Sequence, residues 1–186
     1  MLIEVPPDEE KHLKALRLKI GDKINVSDGR GRIYNCSIHT SLKNQFSLKI
    51  ESVSTQEIKQ KISLILAKLD NKDRIEFALE KAVELGVNDI IICDTDRSSL
   101  KKLNFDRLEK KAISALKQSH NYYLPNLKYA KNLSESLSLL SSESNIIFGN
   151  QFANNTFDDL KNEKNDLAVV IGPEGDFSEK ELELLE

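Results

Sequence analysis

The sequence predicts two folded units in tandem, a small β domain followed by an α/β domain built on a parallel sheet. Three observations carry this expectation. Apolar and polar side chains alternate around an Asp-Gly turn in the first part of the chain, buried-type strands and amphipathic helices alternate from residue 62 onward, and the polar stretch 54–61 has no apolar face. The boundary is set within that stretch, giving units 1–57 and 58–186.

In the first unit, residues 7–18 hold helix formers with acidic residues near their start, as the helix dipole favours. Lys23-Ile-Asn-Val-Ser and Arg32-Ile-Tyr-Asn-Cys-Ser-Ile flank Asp28-Gly29-Arg30-Gly31, a turn whose residues accept positive φ, so a β hairpin is expected. Phe46-Ser-Leu-Lys-Ile-Glu-Ser-Val adds a third strand. In the second unit, Ile62-Ser-Leu-Ile-Leu-Ala is apolar on both faces, the pattern of a strand covered on both sides. Asp73 is the expected cap of a helix bearing Ile75, Leu79, Ala82 and Val83 on one side, and Gly86 its end. A strand at 89–93, a helix at 105–119 with Leu108, Ala112, Ala115 and Leu116 inward, a helix near 134–140, and strands at 145–148 and 167–171 complete the alternation.

Composition bounds the function. A chain of 186 residues with 39% hydrophobic and 31% charged residues is not disordered throughout, and its apolar runs fall short of the ~20 residues a membrane helix needs. The first ten residues lack a basic start and a long apolar centre, so a cytoplasmic protein is expected. Cys36 and Cys93 sit in strand-like apolar contexts and suggest neither a disulfide framework nor a metal site. Residues 1–130 hold 23 Lys and Arg against 18 Asp and Glu, whereas residues 131–186 hold 4 against 12. A polyanion would therefore meet mainly the first part of the chain.

The most informative local feature is Ile171-Gly-Pro-Glu-Gly-Asp-Phe-Ser-Glu-Lys-Glu, where a buried strand runs into a glycine-proline-glycine turn. Ser178 with Glu181 three residues on has the spacing of a capping box. Ligands of parallel sheets bind beyond such strand ends, and the spacing matches neither a dinucleotide fingerprint nor a phosphate loop.

Gly172-Pro-Glu-Gly with Phe177-Ser178 and Glu181 resembles the GPEGG(F/L)-S-x-x-E signature of RsmE-type 16S rRNA (uracil-3) methyltransferases of the SPOUT class. The likeness extends along the chain. Lys68-Leu-Asp-Asn-Lys-Asp-Arg74-Ile-Glu76 with Glu80-Lys81-Ala-Val-Glu84-Leu-Gly86-Val87, then Arg97-Ser98, then Arg107, Ala112, Ala115, Gln118-Ser119 and Pro125 follow the family's pattern. His12-Leu-Lys-Ala-Leu16-Arg17-Leu-Lys-Ile-Gly21-Asp22 is similar to the corresponding stretch of its PUA-like RNA-binding domain.

The resemblance implies a PUA-like β domain over 1–57 and a SPOUT-type knotted methyltransferase domain over 58–186, acting as a homodimer on the 16S rRNA of the small ribosomal subunit. It implies S-adenosylmethionine (SAM) as methyl donor, bound by Gly149, Ile171, Gly172, Pro173, Glu174 and Gly175, with no metal and no membrane. Arg97 is the candidate for stabilising a uracil anion. Arg17, Lys68, Arg74, Arg97 and Gln118 are the implied RNA contacts; Glu84 and His120 are titratable groups that could serve as the base, and the sequence assigns neither. Three departures stand out. Asp176 replaces the second glycine of GPEGG, and Asn121 stands where a basic residue is usual. The chain also ends at Glu186, ahead of the segment that in this family threads a trefoil knot and completes the cofactor pocket, so the domain is expected to be cut short. The competing reading is an RNA-binding relative without catalysis, whose cofactor site is incomplete.

Overall fold

The computed structural model describes residues 1–42, 45–98, 102–149 and 164–186, which fall into two units, Met1–Glu57 and Ile58–Glu186.

In the first unit an antiparallel sheet has the order β1-β4-β3-β2, with β1 Leu2–Glu4, β2 Lys23–Ser27, β3 Arg32–Leu42 and β4 Gln45–Thr55. The expected hairpin is β2 with β3, and Gly29 and Gly31 in its turn both take positive φ. The alternation has its physical basis here: Cys36, Ile38, Phe46 and Leu48 point inward, where Leu13 of α1 (Pro7–Ala15) covers them. The helix is shorter than expected. It stops at Ala15 because Arg17 turns left-handed (φ 54°), and Gly21 N–H then bonds the Ile38 carbonyl of β3. The sequence reading also passed over β1, a three-residue strand paired along β4 from Leu2↔Lys49 to Glu4↔Ser47.

The second unit is a five-stranded parallel sheet of order β7-β6-β5-β9-β8, with β5 Ile62–Ala67, β6 Asp89–Cys93, β7 Asn126–Ala130, β8 Asn145–Phe148 and β9 Leu167–Ile171. Side chains of β5 and β6 point alternately to the two faces, and both faces are covered. Leu64, Leu66, Ile90 and Ile92 pack against α2 (Lys72–Glu84) and α3 (Phe105–Ser119). Ile65, Ile91 and Cys93 pack against Leu133 of α4 (Leu133–Ser138), and with Phe177 and Leu185, the latter on α5 (Glu179–Leu185). Two-sided burial explains why these strands read as unbroken apolar runs. Each fully buried Ile or Leu contributes roughly 1.5–3 kcal/mol.

Two local details differ from the sequence reading. Asn71, not Asp73, caps α2, its side-chain oxygen accepting from the Asp73 amide at 2.8 Å. And β7 was missed because it is an edge strand, with Asn126, Lys128 and Tyr129 leaving no apolar run. At the far end of α2, Gly86 takes φ +83°, its amide bonding Val83 O while Val87 N bonds Ala82 O, a Schellman motif.

The chain builds β5, β6 and β7 outward in one direction, then returns to place β9 on the other side of β5. The switch in strand order therefore lies between the carboxyl ends of β5 and β9, the position at which open α/β sheets bind ligands. Among the described residues no helix is long and apolar enough to cross a membrane.

Candidate functional site

β9 delivers the Gly172-Pro-Glu-Gly turn directly to this switch point. Gly172 has no room for a side chain: a Cβ there would lie 2.9 Å from the Phe177 ring, which is itself buried. Asp176 N closes the turn on Pro173 O at 3.0 Å, and Asp176 takes φ 62° with its carboxylate accepting from Phe177 N at 2.8 Å. A glycine would adopt this left-handed conformation freely; aspartate is among the few other residues that tolerate it, through such a local hydrogen bond. The departure at 176 is thereby accommodated. The capping box follows, with Ser178 N donating to Glu181 Oε2 at 2.9 Å and Glu181 N to Ser178 Oγ at 3.4 Å.

Neighbouring loops hold the turn from both sides. From the β5–α2 loop, Asp70 N (3.2 Å) and Arg74 Nη1 (3.1 Å) donate to the Glu174 carboxylate. From the loop after β6, Arg97 Nη1 donates to Gly175 O at 2.7 Å. The same loop reaches α5: Ser178 Oγ donates to Asp96 Oδ2 (2.7 Å) and Asp96 N to the buried Glu181 carboxylate (3.0 Å). The sequence singled out Arg74 and Arg97 as RNA contacts, but their bonds to the turn, and those of Asp70 and Asp96, were not evident in it. The one hint was an acidic pair, Asp94 and Asp96, at the carboxyl end of a buried strand.

The structure sorts the expected site residues into three groups. Gly149, Ile171, Gly172, Pro173, Glu174, Gly175, Arg74 and Arg97 gather at the carboxyl edge; Phe148 pairs with Val170, which sets Gly149 abreast of Ile171. Lys68 shares this edge but is 6% exposed, its ammonium against Asp94. Gln118 and His120 lie at the opposite end of the sheet, where α3 finishes and His120 takes φ 56°. So does Glu84, whose carboxylate accepts from Lys81 Nζ at 2.8 Å. Asn121 also belongs to that end, its amide donating to Val83 O and Glu84 O at 2.9 Å each and so capping the last turn of α2. Arg17 is exposed in the first unit.

At the carboxyl edge, Ile171 is 44% exposed although its strand has neighbours on both sides. A Cβ at Gly149 would meet no atom within 4 Å. Exposed apolar surface beside bare glycine main chain suits a flat heteroaromatic ligand. Among the described residues no group of His, Cys, Asp and Glu could hold a metal ion.

A family model described as an RNA methyltransferase domain matches residues 56–186, and one described as an RNA methyltransferase PUA domain matches residues 5–51. The chain belongs to the RNA methyltransferase family. Relatives named ribosomal RNA small subunit methyltransferase E include one from Mesomycoplasma hyopneumoniae, 30% identical over 94% of this chain and 77% of its own length. One from Rickettsia conorii is 26% identical over 98% of this chain and 77% of its length. Among solved structures, a predicted RNA methyltransferase from Thermotoga maritima has a TM-score of 0.74 at 31% identity, covering 99% of this chain and 82% of that one. A Legionella pneumophila protein in complex with its bound cofactor SAM has a TM-score of 0.80 at 27% identity, covering 100% of this chain and 79% of that one. Within this family the five-stranded parallel sheet is the methyltransferase domain and the antiparallel sheet the PUA domain.

Proposed function

We propose that this chain transfers the methyl group of SAM to N3 of a uridine in the 16S rRNA of the small ribosomal subunit, working as a cytoplasmic homodimer. The observation that carries the reading is the Gly172-Pro-Glu-Gly turn at the switch point of the sheet, braced by Arg74 and Arg97, in a member of the RNA methyltransferase family. The Legionella relative with SAM bound supports the choice of cofactor.

SAM supplies an electrophilic methyl on a sulfonium. The residues that would hold it are Gly149, Ile171, Gly172, Pro173, Glu174 and Gly175. The exposed face of Ile171 would take the apolar part of the cofactor, and the glycines would let main chain approach it. In the reaction uracil N3 loses its proton and gains the methyl carbon as the carbon–sulfur bond breaks, leaving S-adenosylhomocysteine. Proximity and alignment supply most of the rate. Arg97 gives one N–H to Gly175 O and, being exposed, offers its remaining donors to the uracil oxygen on which charge builds. Arg17, Arg74 and Gln118, all exposed, are the proposed phosphate and base contacts.

Calorimetric titration with S-adenosylhomocysteine should give one site per protomer. Labelled SAM with small subunits lacking the modification should then yield 3-methyluridine on nucleoside digestion. Methylation at another uracil atom or on ribose would overturn the N3 assignment. Absence of cofactor binding would favour the competing reading, an RNA-binding relative whose cofactor site is incomplete.

A further inference from the structure

We propose that Lys68, Asp94 and Tyr129 are positioning residues for the cofactor turn, a charge cluster at the carboxyl ends of three adjacent strands that fixes the loop gripping Gly175 and α5. The cofactor half of this inference rests on the methyltransferase reading above.

Lys68 follows the last residue of β5, Asp94 follows the last residue of β6, and Tyr129 is the penultimate residue of β7. Register sets them side by side, since Leu66 pairs with Ile92 and Ile92 with Tyr129. Main chain pins each strand end to the next: Lys68 N donates to Cys93 O at 2.9 Å and Asp94 N to Ala130 O at 3.2 Å. On this frame the Asp94 carboxylate is held at both oxygens. Lys68 Nζ lies 2.5 Å from Oδ1, paired by charge without a well-aligned hydrogen bond, and Tyr129 Oη donates to Oδ2 at 2.6 Å. The ammonium also stands 5.8 Å from the Tyr129 ring centroid, and Phe105, the first residue of α3, meets that ring edge-on at 6.3 Å.

A lysine buried to this degree is costly unless its charge is matched, and Asp94 is the matching group. Its carboxylate is therefore held in place, along with the start of the loop that follows. That loop closes on itself, Ser98 N bonding Thr95 O and the Thr95 and Ser98 hydroxyls meeting at 2.6 Å. From the same stretch two side chains reach the turn and the start of α5: Asp96 holds Ser178, and Arg97 holds Gly175 O. A rotation at Asp94 would carry Arg97 out of hydrogen-bond range of the turn. Asp94 thus acts on the cofactor turn through Arg97 and Asp96 without touching it.

Tyr129→Phe is the discriminating variant, because it removes one hydroxyl from a half-exposed ring and leaves the packing with Phe105. Asp94→Asn is its companion. Without cofactor, amide hydrogen exchange in 94–98 and 172–178 should quicken in both variants while β5 and β6 keep wild-type protection. Loss of a hydrogen bond to a carboxylate should weaken S-adenosylhomocysteine binding by about tenfold. In an Arg97→Ala background the Tyr129→Phe change should cost little further affinity, because the link it acts through is gone; a purely structural role would add to the Arg97 effect. Unchanged exchange, unchanged affinity, or additive losses would each overturn the proposal. Failure of the wild-type chain to bind S-adenosylhomocysteine would instead overturn the methyltransferase reading, and the exchange comparison would still decide whether the cluster holds the loop.

Discussion

Gly172→Ala tests whether the turn is shaped by the core beneath it. An added Cβ would lie 2.9 Å from Phe177 Cε2 and 3.2 Å from Cδ2 and Cζ, against an optimum of about 3.5–4.0 Å for carbon pairs. Gly172 is not at positive φ, so the cost is steric alone. The Phe177 ring, 4% exposed, packs with Ile65, Val170 and Leu185 and cannot retreat without displacing them. Overpacking of this kind costs about 1–3 kcal/mol. Phe177→Ala alone should cost about 3–5 kcal/mol. In that background Gly172→Ala meets no ring and should be neutral or stabilising by about 0.4–1 kcal/mol through lost unfolded-state freedom. The assay is urea unfolding followed by tyrosine fluorescence, which reports mainly the second unit because Tyr122, Tyr123 and Tyr129 lie there and only Tyr34 lies in the first. Gly149→Ala, with open space at its Cβ, and Gly175→Ala, whose Cβ would sit an ordinary 3.5 Å from Arg97, serve as controls. Additive effects of Gly172→Ala and Phe177→Ala, or a Gly172→Ala protein within about 0.5 kcal/mol of wild type, would refute the reasoning.

Other expectations follow from the same contacts. Asn121→Ala leaves the Val83 and Glu84 carbonyls without their side-chain donor and should destabilise the second unit by about 1–2 kcal/mol in the same assay; no change would mean that water replaces the amide. Asp176→Ala keeps a Cβ at φ 62° while losing the bond to Phe177 N, and should cost about 1–2 kcal/mol, with Asp176→Gly recovering most of it; equal stability of the two would argue against left-handed strain. The Tyr129 hydroxyl donates to Asp94, which favours the protonated phenol and pushes its pKa up to about 12. Because this lies above the unfolded value of about 10, the stabilisation is whole below about pH 10 and is lost as the pH climbs toward 12. Ultraviolet titration should show a late tyrosinate step that is absent from Tyr129→Phe and moves down in Asp94→Asn; a step near the ordinary tyrosine range in the wild type would remove the hydrogen bond from the account.

What the sequence determined by itself is local. The apolar runs of β5, β6 and β9, the helical spacing of Ile75, Leu79, Ala82 and Val83, the Asp-Gly hairpin and the Ser178–Glu181 capping box all repeat over a few residues, and each was legible because its physical cause lies within one or two turns of chain. The Gly-Pro-Glu-Gly turn was legible as a candidate site for the same reason. Edge strands β1 and β7 were not, because a short strand with one neighbour needs no apolar run, and its existence depends on the partner that it pairs with. Asn71 and Asp73 are both competent caps by residue type, so choosing between them required the structure. The partners of the turn were beyond reach: Arg97 and Gly175 are 78 residues apart, Arg74 and Glu174 100. Only the sheet order, which returns β9 to the flank of β5, brings them together. The same holds for Lys68. In sequence it is one more basic residue suited to RNA; in the fold three strand ends meet around its ammonium, and burial beside Asp94 gives it a different task.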